Sequence, residues 1–118
     1  MRSMTIGNVF MLIACRDVVL IPFPFRDRLA EKTRPAVVVS SDLYNDQGDI
    51  VVAAITSQPS RFPTDYELMD WQHAGLQYPS TVRVLVASIA ISRVVLNIGR
   101  LSDDDWREVV DRLHVVFP

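Results

Sequence analysis

The chain has 118 residues, 49% of them hydrophobic, with 12 Lys and Arg against 14 Asp and Glu. That length fits one domain with a single core, and the apolar fraction excludes a disordered chain. The net charge of −2 excludes duplex binding by bulk positive charge, so a nucleic-acid contact must come from a local basic patch.

The first residues pose a choice. Arg2 followed by an apolar stretch ending Leu12-Ile13-Ala14-Cys15 is similar to a bacterial lipoprotein signal. Its apolar part is short and holds Gly7 and Asn8, and cleavage at Cys15 would cut into the first strand. Residues from Met11 to Ile21 are therefore read as the run into a core strand, and 1–10 as an N-terminal extension, disordered or upstream of the true start. Cys15 is the single cysteine, so no intramolecular disulfide can form, as suits a cytoplasmic protein. His73 and His114 add no zinc pattern, and neither metal nor cofactor is expected. No stretch approaches the ~20 apolar residues of a membrane span.

Asp17-Val18-Val19-Leu20-Ile21 is a β-branched strand, ended by Pro22-Phe23-Pro24-Phe25, whose alternate prolines remove ladder donors. A charged loop, 26–33, follows. Pro35 to Ser40 is a short, Val-rich apolar run, as expected of a strand buried on both faces. Asp42 to Asp49 is a turn cluster, and Ile50 to Thr56 a second buried strand. Gln58 to Pro79, broken by prolines and Gly75, is a long irregular connection with a strand-like piece near Asp65 to Met69. Thr81 to Val86 and Ala87 to Leu96 read as two extended pieces joined by a tight link. Residues 102–117 form the C-terminal helix. Ser102 is its N-cap, Asp105 completes a capping box, and Trp106, Val109, Val110, Leu113 and Val116 make one apolar stripe. Several strands and one terminal helix predict a mainly β domain, a small bent sheet or barrel capped by that helix.

The chemistry concentrates at two strand ends. Arg34 stands at the mouth of one buried strand, and Thr56 and Ser57 at the end of the next. A planar guanidinium fork matches phosphate oxygens, and a hydroxyl can donate or accept a proton. Each residue taken singly also has a plain structural reading, as a surface ion pair or a strand-end turn. Arg26, Arg28 and Lys32 join Arg34 in a basic cluster beside Phe23 and Phe25, a combination that suits a single strand with unstacked bases. Arg83 is a further candidate phosphate contact, balanced against a structural ion pair. His73 lies in a loop and carries no assigned role, while His114 sits where a cation suits a helix C-terminus.

Asp17 to Phe23, Arg34 to Ser40, Asn45, Ile55-Thr56-Ser57 and Ile98-Gly99-Arg100-Leu101-Ser102, in this order and spacing, resemble the MazF/PemK/Kid-type toxins of type II toxin–antitoxin systems. The resemblance runs from about Arg16 to Leu113. It implies an SH3-like barrel, a homodimer, metal-independent endoribonuclease activity on single-stranded RNA, and a short antitoxin that covers the active surface. It makes Arg34, Thr56 and Ser57 the expected catalytic residues, and Arg26, Arg28, Lys32, Phe25 and Arg83 the expected RNA contacts. Two departures stand out: the loop Asp27 to Thr33 lacks the family's glycine, and Val82 to Ser88 lacks an acidic residue often found there. Two other readings stay open at this point, a gyrase-binding toxin of the same fold (the CcdB type) and a catalytically degenerate binding module.

Overall fold

The computed structural model describes residues 2–6, 9–22 and 32–118. Strands β1 (Arg2–Ile6) and β2 (Val9–Ile13) pair antiparallel, with Met4 opposite Met11. Extended backbone therefore occupies 2–6 and 9–10, within the stretch that the sequence reads as an N-terminal extension, and continues through Met11 to Ile13. Ile13, at the end of β2, is buried in the core.

The main sheet contains β3 (Asp17–Pro22), β4 (Thr33–Val38), β5 (Asp49–Thr56), β6 (Tyr66–Glu67), β7 (Thr81–Ala90) and β8 (Leu96–Arg100). Their order is β6-β7-β5-β4-β3-β8, with every neighbouring pair antiparallel. Together with a C-terminal helix this is the mainly β, curled half-barrel that the sequence predicts. The central strands β4 and β5 are apolar on both faces, as their unbroken Val, Ala and Ile runs require. One face packs Val19, Ile21, Ala36, Val38, Val52 and Ala54 with Ile91 and Val94. The opposite face packs Val18, Val37, Ala53, Ile55 and Val82 beneath Leu101 and Val109.

Helix α2 (Asp103–Val116) lies over that second face. Ser102 caps it, its hydroxyl accepting from the Asp105 amide at 3.2 Å. Val109 is buried, Trp106 and Leu113 pack partly against the core, and Val116 at the last turn is exposed. The Asp105 side chain does something the capping-box reading did not foresee. It is fully buried and accepts from Tyr66 Oη at 2.6 Å, Met69 N at 3.0 Å and Asp70 N at 2.8 Å. The helix start thus pins the segment that follows β6. Burial and the adjacent carboxylate together push the Tyr66 phenol above its ordinary pKa.

Two further expectations change. Within 42–49 the chain makes one helical turn, α1 (Asp42–Asn45), capped by Ser41. Thr81 to Ala90 is one continuous strand rather than two pieces. Its register against β5 shifts between Ala53, opposite Val86, and Ala54, opposite Arg83. The resulting bulge keeps the strand going while re-aiming its side chains. A single 3-10 turn, Ile91–Arg93, then leads to β8, which pairs with β3.

Candidate functional site

Strand register builds the site. Ala36 faces Ala54 across β4 and β5, and the same spacing two residues on sets Arg34 level with Thr56. Ile21 lies opposite Arg34 on the other side, and Thr81 opposite Thr56. The strand interiors are buried and their ends emerge, so Arg34 is exposed while Ala36, two residues inward, is sealed. A guanidinium and a hydroxyl are therefore anchored on rigid, packed strands at one end of the sheet.

Arg34, Thr56 and Ser57 line one cavity of about 600 Å³. Its apolar walls are Leu20, Pro35, Ile55, Leu76, Leu96 and Ile98, and Gln58, Gln77, Tyr78 and Ser80 add polar groups. Among the described residues none of its lining side chains is a carboxylate, so nothing among them repels a phosphate. The Thr56 hydroxyl accepts from the Gln58 amide at 3.1 Å, which fixes its oxygen and leaves its hydrogen to be donated. Tyr78, Gln77 and Leu76 were not singled out from the sequence. They sit in the long irregular connection and reach the site only because two backbones meet there.

That meeting is between glycines. Gly75, with φ +84°, lies so close to β8 that a Cβ on it would stand 2.0 Å from the Ile98 carbonyl oxygen. A Cβ on Gly99 would stand 2.3 Å from the Ala74 carbonyl oxygen. Only residues without side chains allow this contact, and it holds the Leu76–Tyr78 wall against the sheet.

A second, smaller depression of about 260 Å³ shares Arg34 and Thr56 and adds Ala54, Arg83 and Leu85. Arg83 makes an ion pair and also borders the site. Its Nε and Nη2 donate to Asp65 at 3.3 and 3.0 Å. Burial works to raise the Asp65 pKa, but Arg83 and the amides of Arg61 and Phe62 outweigh it and hold the carboxyl below its ordinary range. Lys32 is exposed just before β4. Phe25, Arg26 and Arg28 lie outside the described residues.

Other residues of the sequence pattern are structural. At the far end of β5, Asn45 is buried and accepts from the Ser40 hydroxyl, which in turn accepts from Val51 N at 2.9 Å. His73 and His114 are exposed, and neither lines the cavity. Asp17 is buried under Ala14 N and the Asn97 amide, and desolvation pushes its pKa up. Cys15, half-buried in the turn before β3, is also pushed up by desolvation and by Asp42. No helix among the described residues is long and apolar enough to cross a membrane.

Solved structures share this fold. MazF from Deinococcus radiodurans superposes with a TM-score of 0.73 at 22% identity, covering 91% of this chain and 97% of that one. The Mycobacterium tuberculosis toxin MazF-mt6 gives 0.70 at 18% identity, over 86% and 96%. An endoribonuclease from a mycobacterial species, solved in complex with its cognate antitoxin, gives 0.74 at 11% identity, over 90% and 95%. No curated protein matches the sequence. At residues 14–117, however, the sequence matches the profile of one family, and on that match the chain belongs to the PemK-like, MazF-like toxins of type II toxin–antitoxin systems.

Proposed function

We propose that this toxin is a metal-independent endoribonuclease that cuts single-stranded mRNA and so blocks translation in the cytoplasm. The observation that carries the reading is the convergence of Arg34, Thr56 and Ser57 on one cavity at the end of the sheet. An RNA strand supplies its own nucleophile. Its 2′-hydroxyl gives up its proton to solvent water as the oxygen attacks phosphorus, the bond to the 5′-oxygen breaks as that oxygen takes up a proton, and the products carry a 2′,3′-cyclic phosphate and a 5′-hydroxyl. Arg34 stabilises the charge that develops on the phosphate oxygens, and Thr56 donates toward the leaving oxygen, with Ser57 as a second donor. Lys32, with Arg26 and Arg28, guides the backbone. Preorganised donors of this kind each contribute about 10²–10³ in rate.

Antitoxin control and homodimerisation complete the proposal. They are supported by family membership and by the antitoxin complexes of the mycobacterial endoribonuclease and of Deinococcus radiodurans MazF. The decisive experiment incubates the purified protein with long single-stranded RNA in EDTA, beside Arg34→Ala. Discrete cuts by the wild type, reduced about 10²–10³-fold in the variant, are expected. Intact RNA across varied sequences would sink the reading, and inhibition of gyrase in its place would substitute the gyrase-binding one.

A further inference from the structure

The loop after Thr56 carries a feature that the cleavage chemistry does not use. Phe62 is 52% exposed at its tip. The Cζ atoms of Arg61 and Arg83 each lie 5.6 Å from its ring centroid. This ring is held in place by the hydrogen-bonded backbone of its loop rather than free to fold away. Asp65, buried behind it, accepts from Arg61 N at 2.9 Å, Phe62 N at 3.2 Å and the Arg83 fork. Phe62 also accepts, through its carbonyl oxygen, from Asp65 N at 2.9 Å. One carboxylate thereby fixes the loop backbone and the guanidinium beside the ring, and neutralises its own charge in doing so.

Position makes this more than a surface ornament. Arg83 borders the depression that also holds Arg34 and Thr56. Arg83 links the proposed cleavage groups and Phe62, bordering that depression while its guanidinium lies against the Phe62 ring. Aromatic faces flanked by guanidiniums suit an unstacked base with its phosphate. Stacking of that kind is tolerant of base identity.

Resting on the endoribonuclease reading, we propose that Phe62, with Arg61 and Arg83, forms a stacking subsite for a nucleotide flanking the scissile bond. Asp65 is the positioning residue of that subsite. It acts on the substrate's reach along the surface rather than on the reacting atoms.

The test uses a fluorescein-labelled, fully 2′-O-methylated RNA of random sequence, about 12 nucleotides long to span an ordinary single-strand site. It cannot be cut, so binding is read apart from cleavage. Phe62→Ala and Phe62→Leu are expected to weaken binding about tenfold, and Phe62→Trp to stay within about twofold of wild type. Thermal unfolding of Phe62→Leu should match wild type, since the ring is half in water. Equal binding and cleavage by Phe62→Ala, Phe62→Leu and wild type, with Arg34→Ala inactive, would overturn the subsite and leave the nuclease standing. Phe62-dependent binding by a wild type that cuts no RNA would keep the subsite and overturn the nuclease. Absence of both binding and cutting overturns both.

Discussion

Single residues fix how close the walls of the cleft can come. Gly75 and Gly99 meet where any side chain would overlap a backbone carbonyl. Gly75→Ala and Gly99→Ala are each expected to cost about 2 kcal/mol or more, because the obstructing atoms are backbone and cannot swing aside. A thermal melt checks this, and the same variants should lose cleavage as the Leu76–Tyr78 wall moves. Two buried acids make opposite predictions about pH. Asp65 has a lowered pKa in the fold. Its stabilising contribution is present above the ordinary carboxylate range and is lost as pH falls through the folded value. Asp17 has a raised pKa, so its contribution is complete below the ordinary range and is lost as pH rises through the folded value. Urea midpoints measured at about pH 3 and about pH 6 should therefore show the advantage of wild type over Asp65→Asn shrinking in acid, and that over Asp17→Asn growing. Equal slopes for the two pairs would refute the assignment. At this scale the sequence disclosed Arg34 and Thr56, because an arginine and a hydroxyl at the ends of two Val- and Ala-rich runs are visible to inspection. It did not disclose the glycine contact or the Asp65 clamp, which join residues distant in the chain or hidden in an irregular loop.

Elements were legible where periodicity is strong and illegible where tertiary contacts override it. Helix α2 begins at its predicted cap, β3 and β5 lie within a residue of their apolar runs, and β4 starts two residues before its run and ends at Val38. The reading of 81–96 failed because a bulge preserves a strand through a change of side-chain alternation. Asp105 was assigned to the helix from its spacing to Ser102, whereas its partners are three groups in 66–70 that only the folded chain brings near. Asp105→Ala would leave two backbone amides and a phenol without their acceptor. An expected cost of about 3 kcal/mol follows from the unmet donors. Asp104→Ala, in the same helical turn but exposed, should stay within about 0.5 kcal/mol. Comparison of their chemical-denaturation midpoints checks the contrast. Ser102→Ala should fall between them, at about 1 kcal/mol for a lost cap.

For the molecule as a whole, net negative charge and a nucleic-acid substrate are reconciled by local placement. Arg34, Lys32 and Arg83 stand at one end of the sheet, while Asp103 and Asp104 and the rest of α2's acidic start lie over the helix-covered face. If three cations meet phosphates, the logarithm of RNA affinity should fall with the logarithm of salt concentration at a slope of about −2. Titrations at several salt concentrations would measure it, and a slope near zero would detach binding from this basic end. Lys32→Ala should reduce the slope by about 0.7 without changing where RNA is cut.

The pairing of β8 with β3 has a consequence for the ribosome that makes this protein. Asn97 bonds Asp17 and the Leu101 amide bonds the Arg16 carbonyl, so β8 and the residues after it close on the start of β3. Leu96 and Ile98, which complete the cleft around Arg34, are synthesised well after Arg34 and Thr56. Contacts of such long sequence separation form slowly. A growing chain would thus carry its arginine and threonine exposed yet lack the far wall that confines a substrate. On the proposed reading, the toxin would be harmless to the message being translated until the codons for β8 have been read.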